Sequence, residues 1–478
     1  VCMMNSMIKE NGVTFKQLEK NIFKWICEIG QNFTREFLER YDQILMQERD
    51  KSKYRHKGLR QTTVKTVYGE VTYHRAVYEV TEEDGWRHFV YLLDETLELE
   101  QIGLISTNMA ELLVKGITEQ SYRACAAQVS EMTGQTISAM GVWNVIQALG
   151  AKVCEEEKEL TEAHKQGKVC GEKESPVLFE EADGVYIKLQ GKDRKNARQD
   201  KAEVKIGIAY DGWKQTGQDR YQLVNKVVVA GFSPAKEFHA CREAAIAQTF
   251  NLDEVCQRIL NADGASWIKK VKDKSTCFQL DPFHRNKAVK EKIYNKKAQK
   301  DILELLAQEE IEEVFHYLEL YKNSLSEEKE IKDAEELIRY YKNNKEGLLP
   351  YQSQGLELPE NPEGLEYRNM GTMENHVWSV IAKRMKHNHT SWSKRGGNHL
   401  AKILAKKCSG KLYEVTQSLK QPLFETETVE ELYGEILLSA KAPKKDGKGY
   451  EYPVIGHVVG LEGKVRGDGR KLLAMAGY

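Results

Sequence analysis

The chain of 478 residues contains no run of about 18 apolar residues, which excludes a membrane-crossing helix. Its first residues, VCMMNSMIKENG, lack the apolar centre of a signal peptide. They begin with Val, and Met3, Met4 and Met7 follow, so the start codon stays open. No two of the nine cysteines (Cys2, Cys27, Cys125, Cys154, Cys170, Cys241, Cys256, Cys277, Cys408) form a CxxC, and their number is odd. That argues against a disulfide framework or a zinc ribbon and for a reducing, cytoplasmic setting. There are no internal repeats. The net charge of −1 singles out no partner. One absence is local: no acid occurs between Glu374 and Glu414, while residues 375–413 carry nine Lys or Arg and four His. A metal site, a solvated helix face and a nucleic-acid surface all fit such a segment.

What is present fits a globular protein with a sizeable core. Hydrophobic residues make up 41% and charged residues 30%, and the length suits roughly two to four domains. Residues 1–50 are dominated by an amphipathic helix over 14–49. Phe15, Leu18, Ile22, Trp25, Ile26, Ile29, Phe33, Phe37, Tyr41 and Ile44 recur there at three- and four-residue steps. Residues 51–100 read as a basic linker, KSKYRHKGLR, and a β-hairpin around Gly69-Glu70. Residues 101–170 are helical. Within them, 121–149 has the form of a helix-turn-helix, with a turn at Thr133-Gly134-Gln135 and Ser138 as the second N-cap. That second helix has almost no Lys or Arg, and an ordinary helical hairpin fits the same pattern.

From 176 the pattern changes to strands. PVLFEEADGVYIKLQ, KAEVKIGIAYDGW and YQLVNKVVVAGF each read as one strand, a helix follows over 240–251, and shorter strands come after it. Three strands, a helix and further strands form the order of an α/β RNase H-like core, assigned to 176–284 plus 370–413. Residues 285–369 read as an all-α insertion and a loop, and 414–478 as a Gly/basic tail.

Three acids stand out. Asp183 and Asp263 share the local form Ala-Asp-Gly, in which a strand end followed by glycine exposes the carboxylate. Glu374 opens a helix that Thr372 can cap, with Met373, Val377, Ile381 and Met385 or the stem of Arg384 on its apolar side. Three carboxylates brought together repel unless a divalent cation lies among them. Mg²⁺ suits such oxygen ligands and completes its shell with phosphate oxygens. Two ions about 3.5–4 Å apart would serve phosphodiester cleavage and joining. Taken singly, an Asp-Gly after a strand is most often a turn. A lone Glu near a helix N-terminus is usually favourable dipole placement.

The ordered set Asp183, Asp263, DPFHRNK and GTMENHVWSVIAKRMKHNHTSWSKRGG resembles the DDE transposases of bacterial insertion sequences. It is most similar to the ISLre type, once classed as an uncharacterised protein family, and more distantly to Mutator-like transposases. The resemblance covers nearly the whole chain. It implies an RNase H-like fold in which Asp183, Asp263 and Glu374 are catalytic and hold Mg²⁺ or Mn²⁺, two ions in all. It also implies a helical insertion between the second Asp and the Glu, for which the 111 positions from 263 to 374 leave room. Asp281 and His284 match a supporting motif of relatives, and His284 would arrange the scissile DNA or the acids. A buried structural His fits the same place.

The basic run adds a candidate DNA surface. Lys383, Arg384 and Lys386 follow Glu374, Lys394 and Arg395 precede Gly396-Gly397, and Trp378 and Trp392 interleave. Bases with aromatics suit phosphate contact and stacking, although a charge run is ordinarily a solvated face. His387 and His389 lack cysteine partners at zinc spacing.

The expectation is therefore a cytoplasmic, nucleoid-associated enzyme. It would act on double-stranded DNA, at terminal inverted repeats and at target sites, as a homo-oligomer with no membrane contact. A nuclease that cuts without joining would use the same acids. A non-catalytic DNA-binding protein derived from a transposase would not need them.

Overall fold

In the computed structural model, the described residues are 14–82, 85–97, 105–196, 200–269, 276–387 and 389–419. Residues 1–425 form one compact unit. Residues 426–478 form a second, which lies outside the described residues.

Thr14 and Gln17 close a capping box that starts α1 (Phe15–Glu48). Its second half packs on a hairpin of β1 (Arg55–Thr66) and β2 (Gly69–Thr81), to which β3 (Arg87–Val90) adds a third strand. Gln31 Nε2 donates to Tyr68 O at 2.8 Å, and Ala76 N donates to Asp42 Oδ2 at 2.8 Å. The helix is as expected, but its apolar face is divided. Phe15, Leu18, Ile22, Trp25, Ile26 and Ile29 are exposed, because the hairpin reaches only the later turns. The expected linker at 51–60 is largely strand. Arg55 pairs in register with Glu79, and Lys57 lies 2.9 Å from that glutamate, so cross-strand pairing draws the basic residues into β1.

The short α2 (Leu92–Leu97) leads to α3 (Thr107–Glu119), α4 (Tyr122–Thr133) and α5 (Ala139–Lys165). The turn is where the sequence places it: Gly134 has φ +67°, and Ser138 Oγ accepts from Gly141 N at 2.9 Å. However, α5 runs well past 149 and buries Val142, Val145, Ile146, Leu149 and Val153. At Gly150 an added Cβ would come within 2.3 Å of His399 Cβ, so the next helix lies hard against α5 there. The pair is thus a helical hairpin whose second helix gives its inner side to the core.

The main sheet has five strands: β4 (Val177–Lys188), β5 (Lys201–Tyr210), β8 (Val227–Gly231), β9 (Gln257–Ala262) and β10 (Cys277–Leu280). Their order is β10-β9-β4-β5-β8. β5 runs antiparallel to β4 and to β8, whereas β9 is parallel to β4 and β10 to β9. A separate hairpin of β6 (Trp213–Gly217) and β7 (Arg220–Leu223) is inserted in the connection from β5 to β8. The stretch YQLVNKVVVAGF is therefore two strands, not one. Asn225 takes a left-handed conformation at φ +48°, and its Nδ2 donates to Asp211 Oδ2 at 2.6 Å, which breaks the run.

After the small α6 (Gly191–Asn196), α7 (Ala235–Thr249) covers one face of the sheet, with Ile246 and Phe250 against Leu178, Ala209 and Val227. Beyond the single turn α8 (Ser266–Lys269) comes the helical insertion: α9 (Pro282–Lys292), α10 (Lys296–Ala307), α11 (Ile311–Ser324) and α12 (Glu328–Asn343). It shares one core with the sheet edge, since Val289, Ile302, Leu337 and Tyr341 cluster with Leu260, Phe278 and Leu280. The opposite face of the sheet meets α13 (Met373–His376), a π-helical turn at Val377–Ala382, α14 (Lys383–Met385) and α15 (Lys394–Cys408). Of the expected tail, 414–419 falls in a 3₁₀ segment, Leu412–Leu419, and the remainder lies outside the described residues. Among the described residues the eight cysteines are free, and no helix is long and apolar enough to cross a membrane.

Candidate active site

Side chains alternate along β4, so Glu181 and Asp183 share one face while Glu180 points to the other. Asp183 lies within the strand, which continues to Lys188. Gly184 is paired with Lys205 in register, not placed in a turn. The carboxylate is consequently buried rather than held out at a strand end, with 8% of the residue exposed. Its Oδ1 accepts from Gly184 N at 2.7 Å. Burial, reinforced by the charges of Asp263 and Asp281, pushes its pKa up to about 6 against the pull of His284.

Asp263 does have the expected form. β9 ends at Ala262, Gly264 adopts φ +82°, and Asp263 Oδ1 accepts from Ala265 N at 2.8 Å. Ala182 and Ala262 are register partners on parallel strands, so the two aspartates follow at the next position of neighbouring chains. They sense each other's charge.

Asp281 caps α9 through His284 N, and its Oδ2 lies 2.9 Å from His284 Nδ1. His284 Nε2 is 3.9 Å from Asp183 Oδ2. The imidazole therefore spans two carboxylates. Burial would lower its pKa, but the bond to Asp281 and the charges of Asp183, Asp281 and Asp263 raise it. Asp281 is held below the usual range: burial opposes this, and the bonds from His284 and Asn261 outweigh it.

Sequence reasoning missed the network behind these groups. Glu181 is fully buried and receives five hydrogen bonds. Oε1 accepts from Tyr210 Oη at 2.8 Å, Thr372 Oγ1 at 2.6 Å and Thr372 N at 3.3 Å. Oε2 accepts from Asn261 Nδ2 at 3.0 Å and Met373 N at 3.1 Å. Asn261 also donates to Asp281 Oδ1 at 3.0 Å and accepts from Gln279 Nε2 at 3.0 Å. Thus Glu181 ties β4, β9 and the start of α13 together. Thr372 does not cap its helix, as the sequence suggested, because its hydroxyl is spent on Glu181. A signal was present: consecutive acids inside an apolar strand, FEEAD, require partners once buried.

Glu374 stands exposed on α13, one residue beyond the N–H groups held by Glu181. Among the described residues no three His, Cys, Asp or Glu side chains gather as a metal-holding group. The two aspartates and Glu374, as placed, do not make a ready site for a divalent ion, and the expected three-carboxylate cage is not formed.

The basic run separates into two populations. Arg384 and Trp392 are buried. Arg384 Nε donates to Ile117 O at 2.8 Å, its guanidinium lies 5.2 Å from the Trp392 ring centre, and Trp392 Nε1 donates to Met385 O at 2.9 Å. These two lock the segment to the body, so the expected DNA-facing placement does not hold for them. Lys383 and Lys407 both pair with Glu119, and Lys402 is buried against Glu157 at 2.5 Å. The run lacks acids in sequence but acquires them from other helices. Lys386, Lys394, Arg395 and Trp378 remain exposed.

Comparison with known proteins places this arrangement among relatives. Residues 8–421 match the family described as Uncharacterised protein family (UPF0236). The chain is also 22% identical over 407 residues, 84% of each chain, to the UPF0236 protein in vanSb 3'region of Streptococcus gallolyticus. With so large a share of its length matched, the chain belongs to the UPF0236 family.

Proposed function

We propose that this chain is a DDE transposase with an RNase H-like core, cutting DNA at the ends of a bacterial insertion sequence and joining the freed 3′ end to target DNA. The observation that carries the reading is Asp183 on β4 beside Asp263 just past the end of the adjacent parallel strand β9, with His284 bridging toward Asp183 from Asp281. The strand order supports it: three antiparallel strands, a crossover helix, and two parallel strands on the far side of the first. So does the helical insertion, which enters after Asp281 and ends before Glu374.

In this reading Asp183 and His284 handle protons at the reacting centre. A buried carboxyl with its pKa raised to about 6 beside an imidazole whose pKa is also raised forms a pair placed to share a proton. Asp263 stands beside them just past the end of β9. Glu181 fixes the start of α13, from which Glu374 joins the aspartates when DNA is bound. Lys386, Lys394 and Arg395 contact phosphates. Joining requires two ends to be held at once, so the active species is a homo-oligomer.

The test is incubation of a labelled element end and a target plasmid with Mg²⁺ or Mn²⁺. Joined products are expected, and Asp183→Asn, Asp263→Asn and Glu374→Gln should each abolish them. Full activity in any of these variants sinks that residue's role. Cleavage without joined product would favour a nuclease, and footprinting without cleavage under any ion would favour a DNA-binding protein.

A further inference from the structure

A second site opens beside α13. Lys226, between β7 and β8, is half-buried and forms no ion pair with a carboxylate among the described residues. Its ammonium is 3.4 Å from His376 Nε2 and 3.4 Å from Cys408 Sγ. His376 Nδ1 lies 2.8 Å from Thr372 O, so Nδ1 donates there and Nε2 offers its lone pair to Lys226. A partly desolvated ammonium held by a neutral ring gains from an anion.

The space in front of Lys226 is a cavity of about 900 Å³, also lined by Lys173, Arg368 and Lys411. This lies at the upper end of the ~300–1,000 Å³ usual for small-molecule sites. Among the described residues Asp219 is the one carboxylate in its lining. Arg368 and Lys411 approach Glu366 at 3.0 Å and Glu414 at 3.8 Å, neither of which lines the cavity. The guanidinium of Arg368 lies 3.4 Å from the ring centre of Tyr221, another lining residue. The cavity therefore combines four cations with a flat cation–aromatic stack.

We infer that this cavity binds one nucleotide of unpaired nucleic acid, its phosphates on Lys226, Lys173 and Lys411 and its base stacked on the Arg368–Tyr221 pair. Converging ammonium groups suit phosphate oxygens, and a guanidinium plane or an aromatic ring accepts any base by stacking. A duplex keeps its bases inside and its two backbones a groove apart, so it cannot enter a pocket of this size. A strand end can. Thr372, Asn375 and His376 line the same cavity, which puts the nucleotide next to the segment carrying Glu374. The inference rests on the reading of the chain as a DNA-processing enzyme.

The probe is thymidine 3′,5′-bisphosphate, titrated calorimetrically into the full chain in EDTA, with inorganic pyrophosphate as the comparison. One bisphosphate per chain is expected, bound more tightly than pyrophosphate. Lys226→Gln and Arg368→Gln should each weaken it about tenfold, the worth of one charge-assisted hydrogen bond for the first and of one base stack for the second. Tyr221→Leu should remove the preference over pyrophosphate. Lys226→Arg should restore binding, and exposed Lys173→Gln gives a second reading should Lys226→Gln fold poorly. Absence of binding to the wild-type chain, or unchanged binding in Lys173→Gln and Arg368→Gln, overturns the site. DNA cleavage is scored separately. Bisphosphate binding without cleavage would discard the enzyme reading and keep the site, and cleavage without bisphosphate binding would do the reverse.

Discussion

Neighbouring residues of β4 meet different surroundings on its two faces. Glu180 enters a buried ion network. Arg258 Nε lies 2.6 Å from it and Arg242 Nη2 3.3 Å, and Arg258 also reaches Glu243 at 2.7 Å. Burial alone would raise the pKa of Glu243, but these arginines hold it well below the usual carboxylate range. On the other face Glu181 and Asp183 are also buried, yet among the described residues no Lys or Arg pairs with them. Glu181 is satisfied by neutral donors, and Asp183 has one backbone N–H and a distant imidazole. One face compensates its charge and so contributes to the fold. The other leaves a carboxylate poised to titrate, an arrangement that favours chemistry over stability.

The largest expected effect comes from removing the poised charge. Asp183→Asn should lower DNA cleavage by ~10²–10⁴-fold, the usual worth of a proton-transfer group. The same change should stabilise the fold. An unfolded aspartate titrates near its ordinary value, and this one titrates at about 6 in the fold. Ionising it therefore costs native stability as pH rises from about 4 to about 6, and the full cost persists above that. Denaturant titrations at pH 8 should show the Asn variant gaining up to about 3 kcal/mol, with no gain near pH 4. An equal gain at both pH values would show that Asp183 carries no such penalty.

Next in size is the same substitution at adjacent positions. Glu180→Gln leaves buried arginines under-compensated and should cost about 3–5 kcal/mol in urea unfolding. Cleavage by the folded protein should change little. Glu181→Gln turns an amide toward groups that all donate, and should cost about 2–3 kcal/mol. Here cleavage should fall as well, because the start of α13 loses its clamp. If Glu180→Gln impaired cleavage more than Glu181→Gln, the division of labour between the faces would be wrong. Thr372→Val, which removes one hydroxyl from Glu181, should act in the same direction at about 1 kcal/mol.

Legibility in the sequence followed the range of the interactions involved. β4, β5, α1 and the helices of the insertion announce themselves in local pattern, which depends on neighbours two to four positions away. Asp281 and His284 are likewise three residues apart at the start of one helix, and their side chains lie 2.9 Å apart. Thr372 looked like a cap because caps are local, but its hydroxyl goes to a residue 191 positions earlier. Arg384 looked like a DNA contact because the run around it is basic, but its partner carbonyl is 267 positions earlier. The sequence left Asp183 within a strand or at its end, since a following glycine often marks a turn. Here pairing with β5, which continues to Lys188 after β9 has ended opposite Ala182, carries β4 straight through.

The smallest stability effects, and the finest division, lie within the basic run. Lys386→Gln, Lys394→Gln and Arg395→Gln alter exposed side chains and should shift stability by no more than about 0.5 kcal/mol each. If they touch phosphates, the triple variant should bind duplex DNA more weakly. Its plot of log affinity against log salt should also be shallower by about 0.9 for each phosphate left without its cation. Arg384→Gln should do the opposite. It removes the donor to Ile117 O and the cation beside Trp392, so it should cost about 2 kcal/mol or more in stability. The salt slope of the folded fraction should stay unchanged. Both sets remove positive charge from one segment, so a surface acting only through net charge would respond alike to them. A salt slope lowered by Arg384→Gln and untouched by the triple variant would reverse the assignment of exposed and buried bases.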